Sequence, residues 1–157
     1  MNTNDILYKI QKALNLSLEE MMQAYKLEGY KISEEHLISL LKKRQDKAFK
    51  PCSYEELGAF LDGLVTLKRG PSPHKDNDDS VIELTNNLIL KKLRIALELK
   101  EPETEIIFGL GEENLSKQAL KSLFRKEGHK NFKICSDTLL NAFLDGLDEF
   151  YFVGETE

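Results

Sequence analysis

The chain has 157 residues, 41% hydrophobic and 31% charged, with a net charge of −5. That suffices for one ordinary domain or two very small ones and excludes disorder beyond a linker and the ends. No run approaches the ~20 apolar residues that span a bilayer, MNTNDILYKI lacks a signal-peptide pattern, and two cysteines with three scattered histidines are too few for a structural zinc site.

These features predict a cytoplasmic protein with free thiols, no metal, no cofactor and no membrane contact. Net acidity argues against bulk attraction to nucleic acid, so such binding needs local charge. Taken in chain order, residues 4–14 place Ile6, Leu7, Ile10, Ala13 and Leu14 on one helical face. Ser17 and Glu20 form a capping box that opens a second helix over 18–28. A third helix over 34–45 buries Leu37, Leu40 and Leu41, and a fourth runs over 54–68. GPSPHKDNDDS, residues 70–80, then combines two prolines with an acidic run and no apolar residue, which predicts a linker with His74 in solvent.

Beyond it the pattern restarts. Ile89, Leu90, Leu93, Ala96 and Leu97 repeat the first helix, and further helices are expected over 103–110, with Pro102 at its start, 117–127 and 137–152. The helix over 117–127 buries Leu120, Leu123 and Phe124. At an offset of 83 residues, 4–67 align with 87–150 without a gap, with 26 identities in 64 positions. No segment alternates with the period of a strand. The expectation is an all-α protein of two homologous four-helix repeats, over 1–70 and 84–153, with a linker at 71–83 and a tail at 154–157. Each repeat is small for an independent core, so the two should pack together, as a pseudo-two-fold pair or a linear array.

The strongest echo is FKPCSYEELGAFLDGL against FKICSDTLLNAFLDGL, residues 49–64 and 132–147. With Ser53 as N-cap, Cys52 and Leu57 take the two positions of a hydrophobic staple, as do Cys135 and Leu140 around Ser136. Ile32 with Leu37, and Leu115 with Leu120, do the same for the third helices. A cysteine there serves as a small apolar residue; the alternative is a thiol activated by the helix N-terminus, but no histidine recurs beside it. Ala59 and Gly63, and Ala142 and Gly146, form small stripes that predict a close helix crossing and are candidate contacts between the repeats. Asp62 and Asp145 beside them read as boundary carboxylates paired with a cation, or as an acidic pair for acid–base or metal chemistry.

NNLILKKLRIALELK over 86–100, HKNFKICSD over 129–137 and FLDGL in both halves resemble the YehS-like family. The resemblance covers essentially the whole chain. It implies a small bacterial cytoplasmic protein made of a duplicated domain of unknown function, with no activity, cofactor or catalytic residue to carry over. NDILYKIQKAL and DKAF depart from the fuller motifs, which favours the second copy as the place for a site.

Two equivalent segments concentrate positive charge. KKRQDKAFK, residues 42–50, and KSLFRKEGHKNFK, residues 121–133, each carry five Lys/Arg and one acid, leaving −13 on the other 135 residues. Lys43, Lys47 and Lys50 match Lys126, Lys130 and Lys133, with Arg125, His129 and Asn131 adding hydrogen-bond donors in the second copy; Phe132 is a stacking position or a core residue. Such loops complement helix C-termini and are easily solvated, and they also form an anion or partner patch. Lys91, Lys92 and Arg94 suggest a third basic face. No phosphate-binding loop, GxSxG, HExxH or CxxC is present. The leading reading is a non-enzymatic cytosolic binding or adaptor protein; a nucleic-acid-binding regulator using the same loops is the alternative, and an enzyme acting through Asp62 and Asp145 is third.

Overall fold

The computed structural model describes residues 2–71 and 84–152. The expected linker from 72 onward, with His74, and the tail at 154–157 lie outside the described residues. Eight helices are present: α1 Thr3–Leu14, α2 Leu18–Leu27, α3 Glu34–Leu40, α4 Tyr54–Arg69, α5 Asn86–Ala96, α6 Glu101–Leu110, α7 Lys117–Leu123 and α8 Asp137–Phe150. No strand occurs among the described residues, and the all-α duplicated architecture holds.

Local chemistry sets the helix starts. Ser17, Ser33, Ser53, Ser116 and Ser136 each accept the backbone N–H three residues ahead. Ser17 with Glu20 is a reciprocal capping box, and so is Ser53 with Glu56. Asn2 and Thr85 cap α1 and α5 in the same way.

The third helices stop at Leu40 and Leu123, short of the expected 34–45 and 117–127. The reason is tertiary. The Leu40 carbonyl accepts 2.9 Å from Asn4 Nδ2, and Lys50 N–H donates to the Ser39 carbonyl at 3.1 Å. Asn87 Nδ2 and Lys133 N–H do the same for Leu123 and Ser122, at 2.9 and 3.0 Å. These long-range donors take carbonyls that another helical turn would need.

The halves complete one another. α1 packs chiefly against α8, and α5 against α4, while α2 lies on α4 and α6 on α8. The reciprocity is that of a two-fold pair and not of a linear array. Tyr25 on Phe60, with centroids 5.9 Å apart, is repeated by Phe108 on Phe143 at 5.1 Å. Leu7, Ile10, Leu57, Leu64, Leu90, Leu93, Leu140 and Leu147 share the same buried core.

The small stripes do mark close crossings, but within each half. A Cβ on Gly63 would lie 1.9 Å from the Ala24 carbonyl oxygen of α2, and one on Gly146 1.8 Å from the Ile107 oxygen of α6. Ala24 and Ile107 are equivalent positions. The expectation that the stripes join the repeats is therefore corrected. Glycine is needed because α2 and α6 are backbone-close to α4 and α8, whereas α1 and α5 meet the opposite half through larger side chains.

Candidate anion-binding site

The two basic loops are built on one plan. Asn4, 7% exposed in α1, donates from Nδ2 to the Leu40 and Lys50 carbonyls and accepts the Cys52 N–H on Oδ1 at 3.0 Å. Its single amide thus joins the end of α3 to the chain entering α4. Asn87 donates to Leu123 and Lys133 at 2.9 Å and accepts from Cys135 at 2.9 Å. These asparagines show in the sequence only as one identity between the repeats, because their partners lie 36 to 48 residues away.

Within each loop a turn follows. Asp46 Oδ1 accepts from Ala48 N–H at 2.8 Å, and the aligned His129 Nδ1 accepts from Asn131 N–H at 2.9 Å. An accepting Nδ1 carries no proton, so the ring proton of His129 lies on Nε2, where a ligand oxygen can take it. Lys43, Lys47, Lys50, Arg125, Lys126, His129, Lys130, Asn131 and Lys133 are all exposed. Among the described residues none of these lysines, nor Arg125, forms an ion pair. Phe49 and Phe132 are half-buried, which makes them anchors of the loops more than open stacking platforms.

The two loops stand beside very different helices. In the second half, Lys117, Gln118, Lys121, Ser122, Arg125 and Asn131 line a recess of about 290 Å³. The aligned residues of the first half are Glu34, Glu35, Ile38, Ser39, Lys42 and Ala48. Three cations and two amides in one copy thus stand where the other has two carboxylates, one lysine, an isoleucine and an alanine. Of the nine expected site residues, the recess gathers Arg125 and Asn131. Lys117 and Lys121 stand outside the expected set because they lie on α7 and not in the loop; their change of charge across the repeat is the signal in the sequence.

The other candidate features resolve into architecture. Cys52 and Cys135 are free and buried, 6% and 2% exposed. Burial, and secondarily the charges of Glu56 and Asp137, push their thiols up to about 12, far from a nucleophile's range. Asp62 accepts from Lys92 Nζ at 2.5 Å and Asp145 from Lys9 Nζ at 2.8 Å. Since Lys9 and Lys92 are aligned, each half sends a lysine from its first helix to the aspartate of the other half's fourth. Lys92 is spent there, and Arg94 stacks on Phe124 with its guanidinium carbon 4.5 Å from the ring centroid. The third basic face expected from Lys91, Lys92 and Arg94 therefore does not form. Glu56 Oε2 meets His36 Nε2 at 2.6 Å and its Oε1 caps α4; hydrogen bonds from Ser53 and His36 outweigh burial and hold its carboxyl below the usual range.

Among the described residues, no three His, Cys, Asp or Glu side chains converge as a metal site, and no helix is long and apolar enough to cross a membrane. The molecule is a duplicated all-α protein whose halves share a frame and differ in surface charge. Its two halves, residues 3–70 and 86–151, each match the model of a family described as a protein of unknown function, DUF1456, and the chain belongs to that family. It is 32% identical over 151 residues to a protein of Escherichia coli (strain K12) described as uncharacterized protein YehS, covering 94% of each chain. No solved structure matches it.

Proposed function

We propose that this is a non-enzymatic cytoplasmic binding protein whose working surface is the basic face of the second half, formed by α7 and the loop that follows. The observation that carries the reading is the recess where Lys117, Lys121 and Arg125 converge without a carboxylate partner among the described residues. Lys126, Lys130 and Lys133 extend the charge along the loop, and the Asn87 clasp holds that loop in shape without help from a partner. Preformed, unneutralised cations favour an anionic surface.

A nucleic acid is the second reading, favoured by the row of exposed lysines, which suits successive phosphates. Binding of a mixed RNA and DNA pool, measured against salt, separates the two. A linear fall of log affinity with log salt, removed by Lys126→Gln with Lys130→Gln, supports nucleic acid. Capture of the same proteins from lysate with and without nuclease supports a protein partner, provided the capture requires Lys117, Lys121 and Arg125. Retention of all binding after those three are replaced by the first-half residues Glu, Ile and Lys overturns the surface assignment.

A further inference from the structure

On the other side of α7 lies a second cavity, of about 360 Å³, lined by Arg94, Glu101, Leu120, Lys121, Phe124 and Arg125. It brings together the end of α5, the start of α6 and the side of α7 that carries the buried Leu120. We infer that it is a site for a small phosphate monoester that also carries a hydroxyl or amino donor.

The first half shows what this position is without a site. The aligned residues there are Gln11, Leu18, Leu37, Ile38, Leu41 and Lys42, an apolar corner with one amide and one lysine at its edge. Gln11 Nε2 donates to the Leu16 carbonyl at 3.4 Å, and Arg94 Nε donates to the aligned Leu99 carbonyl at 3.1 Å. Arg94 therefore performs the structural task of Gln11 with one nitrogen and brings two further nitrogens that the task does not use. Stacking on Phe124 holds its plane. A frame requirement explains an amide here; it does not explain a guanidinium, a glutamate in place of Leu18 and a lysine in place of Ile38, beside a cation that both halves keep at Arg125 and Lys42.

The charges lining the cavity are not used on one another. Among the described residues, Arg94, Lys121 and Arg125 form no ion pair, with Glu101 or with any other acid. Glu101 Oε2 is shut off from water and has no hydrogen-bond partner. A carboxylate oxygen in that state gains a partner if its side chain turns to meet a donor in the cavity. Three cations and one carboxylate leave two positive charges, matching a phosphate monoester near pH 7, which carries about −1.5 to −2. The fork of Arg94 suits two phosphate oxygens, with Lys121 and Arg125 as flanking charges, and Glu101 takes the donor on the organic part. The volume is at the small end of ordinary ligand pockets, which run from about 300 Å³.

The cavity adjoins the proposed partner surface through Lys121 and Arg125, but its occupancy is measured without any partner. The full chain is titrated calorimetrically with adenosine 5′-monophosphate, glucose 6-phosphate and inorganic phosphate at low ionic strength. At least one ester is expected to bind saturably, one per chain and more tightly than inorganic phosphate. Arg94→Gln, which restores the first-half residue and its hydrogen bond, should keep the thermal midpoint and weaken ester binding about tenfold or more. Glu101→Gln should shrink the preference for ester over inorganic phosphate. If Arg94→Gln disturbs the fold, Phe124→Leu, which restores the first-half residue and removes the ring that holds the Arg94 plane, takes its place with a loss in the same direction. Absence of saturable ester binding, affinity unchanged in the folded variant, or inorganic phosphate binding as tightly as both esters overturns the site. None of these results bears on macromolecular binding, so the two readings fail separately.

Discussion

The two halves agree in the clasps, staples and glycine crossings that shape them and differ in charge where α3 and α7 meet solvent. Asn4 and Asn87 make the same three hydrogen bonds, Cys52 and Cys135 fill the same hollow, and Gly63 and Gly146 admit the same neighbouring backbone. Yet Glu34, Glu35 and Ile38 on one helix stand against Lys117, Gln118 and Lys121 on the other. A duplicated frame holds the residues on which its hydrogen bonds and backbone approaches depend, lets core residues exchange in pairs such as Ala24 for Ile107, and leaves charge free to change where only water is met. The divergent surface, more than the repeated motif, therefore marks where function belongs.

The largest effect should be indifferent to which half is changed. Gly63→Leu and Gly146→Leu are each expected to cost about 3 kcal/mol or more, although leucine is the better helix former, because the first added atom would collide with backbone. Gly58→Ala, with nothing within 4 Å of its added carbon, should instead stabilise by about 0.5–1 kcal/mol. Denaturant midpoints at constant slope measure all three. A rise in midpoint for either leucine variant would show that the crossing is looser than described.

The clasp comes next, and it divides stability from binding. Asn4→Ala should cost about 2–4 kcal/mol, since two carbonyls and an amide lose their partner where little water reaches; Asn87→Ala, whose site is half-buried, should cost less. Anion binding should fall in Asn87→Ala and not in Asn4→Ala. Equal binding losses in both would place working surfaces on both halves and break the comparison.

A smaller effect concerns the thiols. Cys52→Ser and Cys135→Ser should each destabilise by about 1–2 kcal/mol, because a buried hydroxyl then needs a partner. With folded values raised to about 12 against an ordinary 9.0, the buried neutral thiols contribute stability that is complete below pH 9 and lost as pH rises from 9 towards 12. Stability should therefore decline over that window, less steeply in either serine variant, and native thiol labelling at pH 8 should be slow. Fast labelling of one cysteine would single out that half.

The ion pairs between halves should give the smallest difference. Lys92 and Asp62 are 15% and 30% exposed, while Lys9 and Asp145 are 32% and 54% exposed. Double-mutant cycles are expected to give a coupling near 1 kcal/mol for the first pair and about 0.3 kcal/mol for the second, the latter vanishing in salt. The reverse order would mean that exposure does not govern their strength.

Read alone, the sequence determined the duplication, the helical periodicity, the serine caps and the four staple patterns. Each of these depends on residues within about four positions of one another, or on two copies of the same local pattern. It also located the charge of the two basic loops. The partners of Asn4 and Asn87, the early ends of α3 and α7, the placement of the glycine crossings inside each half, and the exchange of Lys9 and Lys92 between halves were decided only by tertiary structure. Those contacts join residues far apart in the chain, where spacing carries no signal. The same holds for the cavity beside Arg94, since three separate helices supply its lining. Residues that read singly as a helix face, a helix start and a loop become one electrostatic environment only when α5, α6 and α7 are brought together.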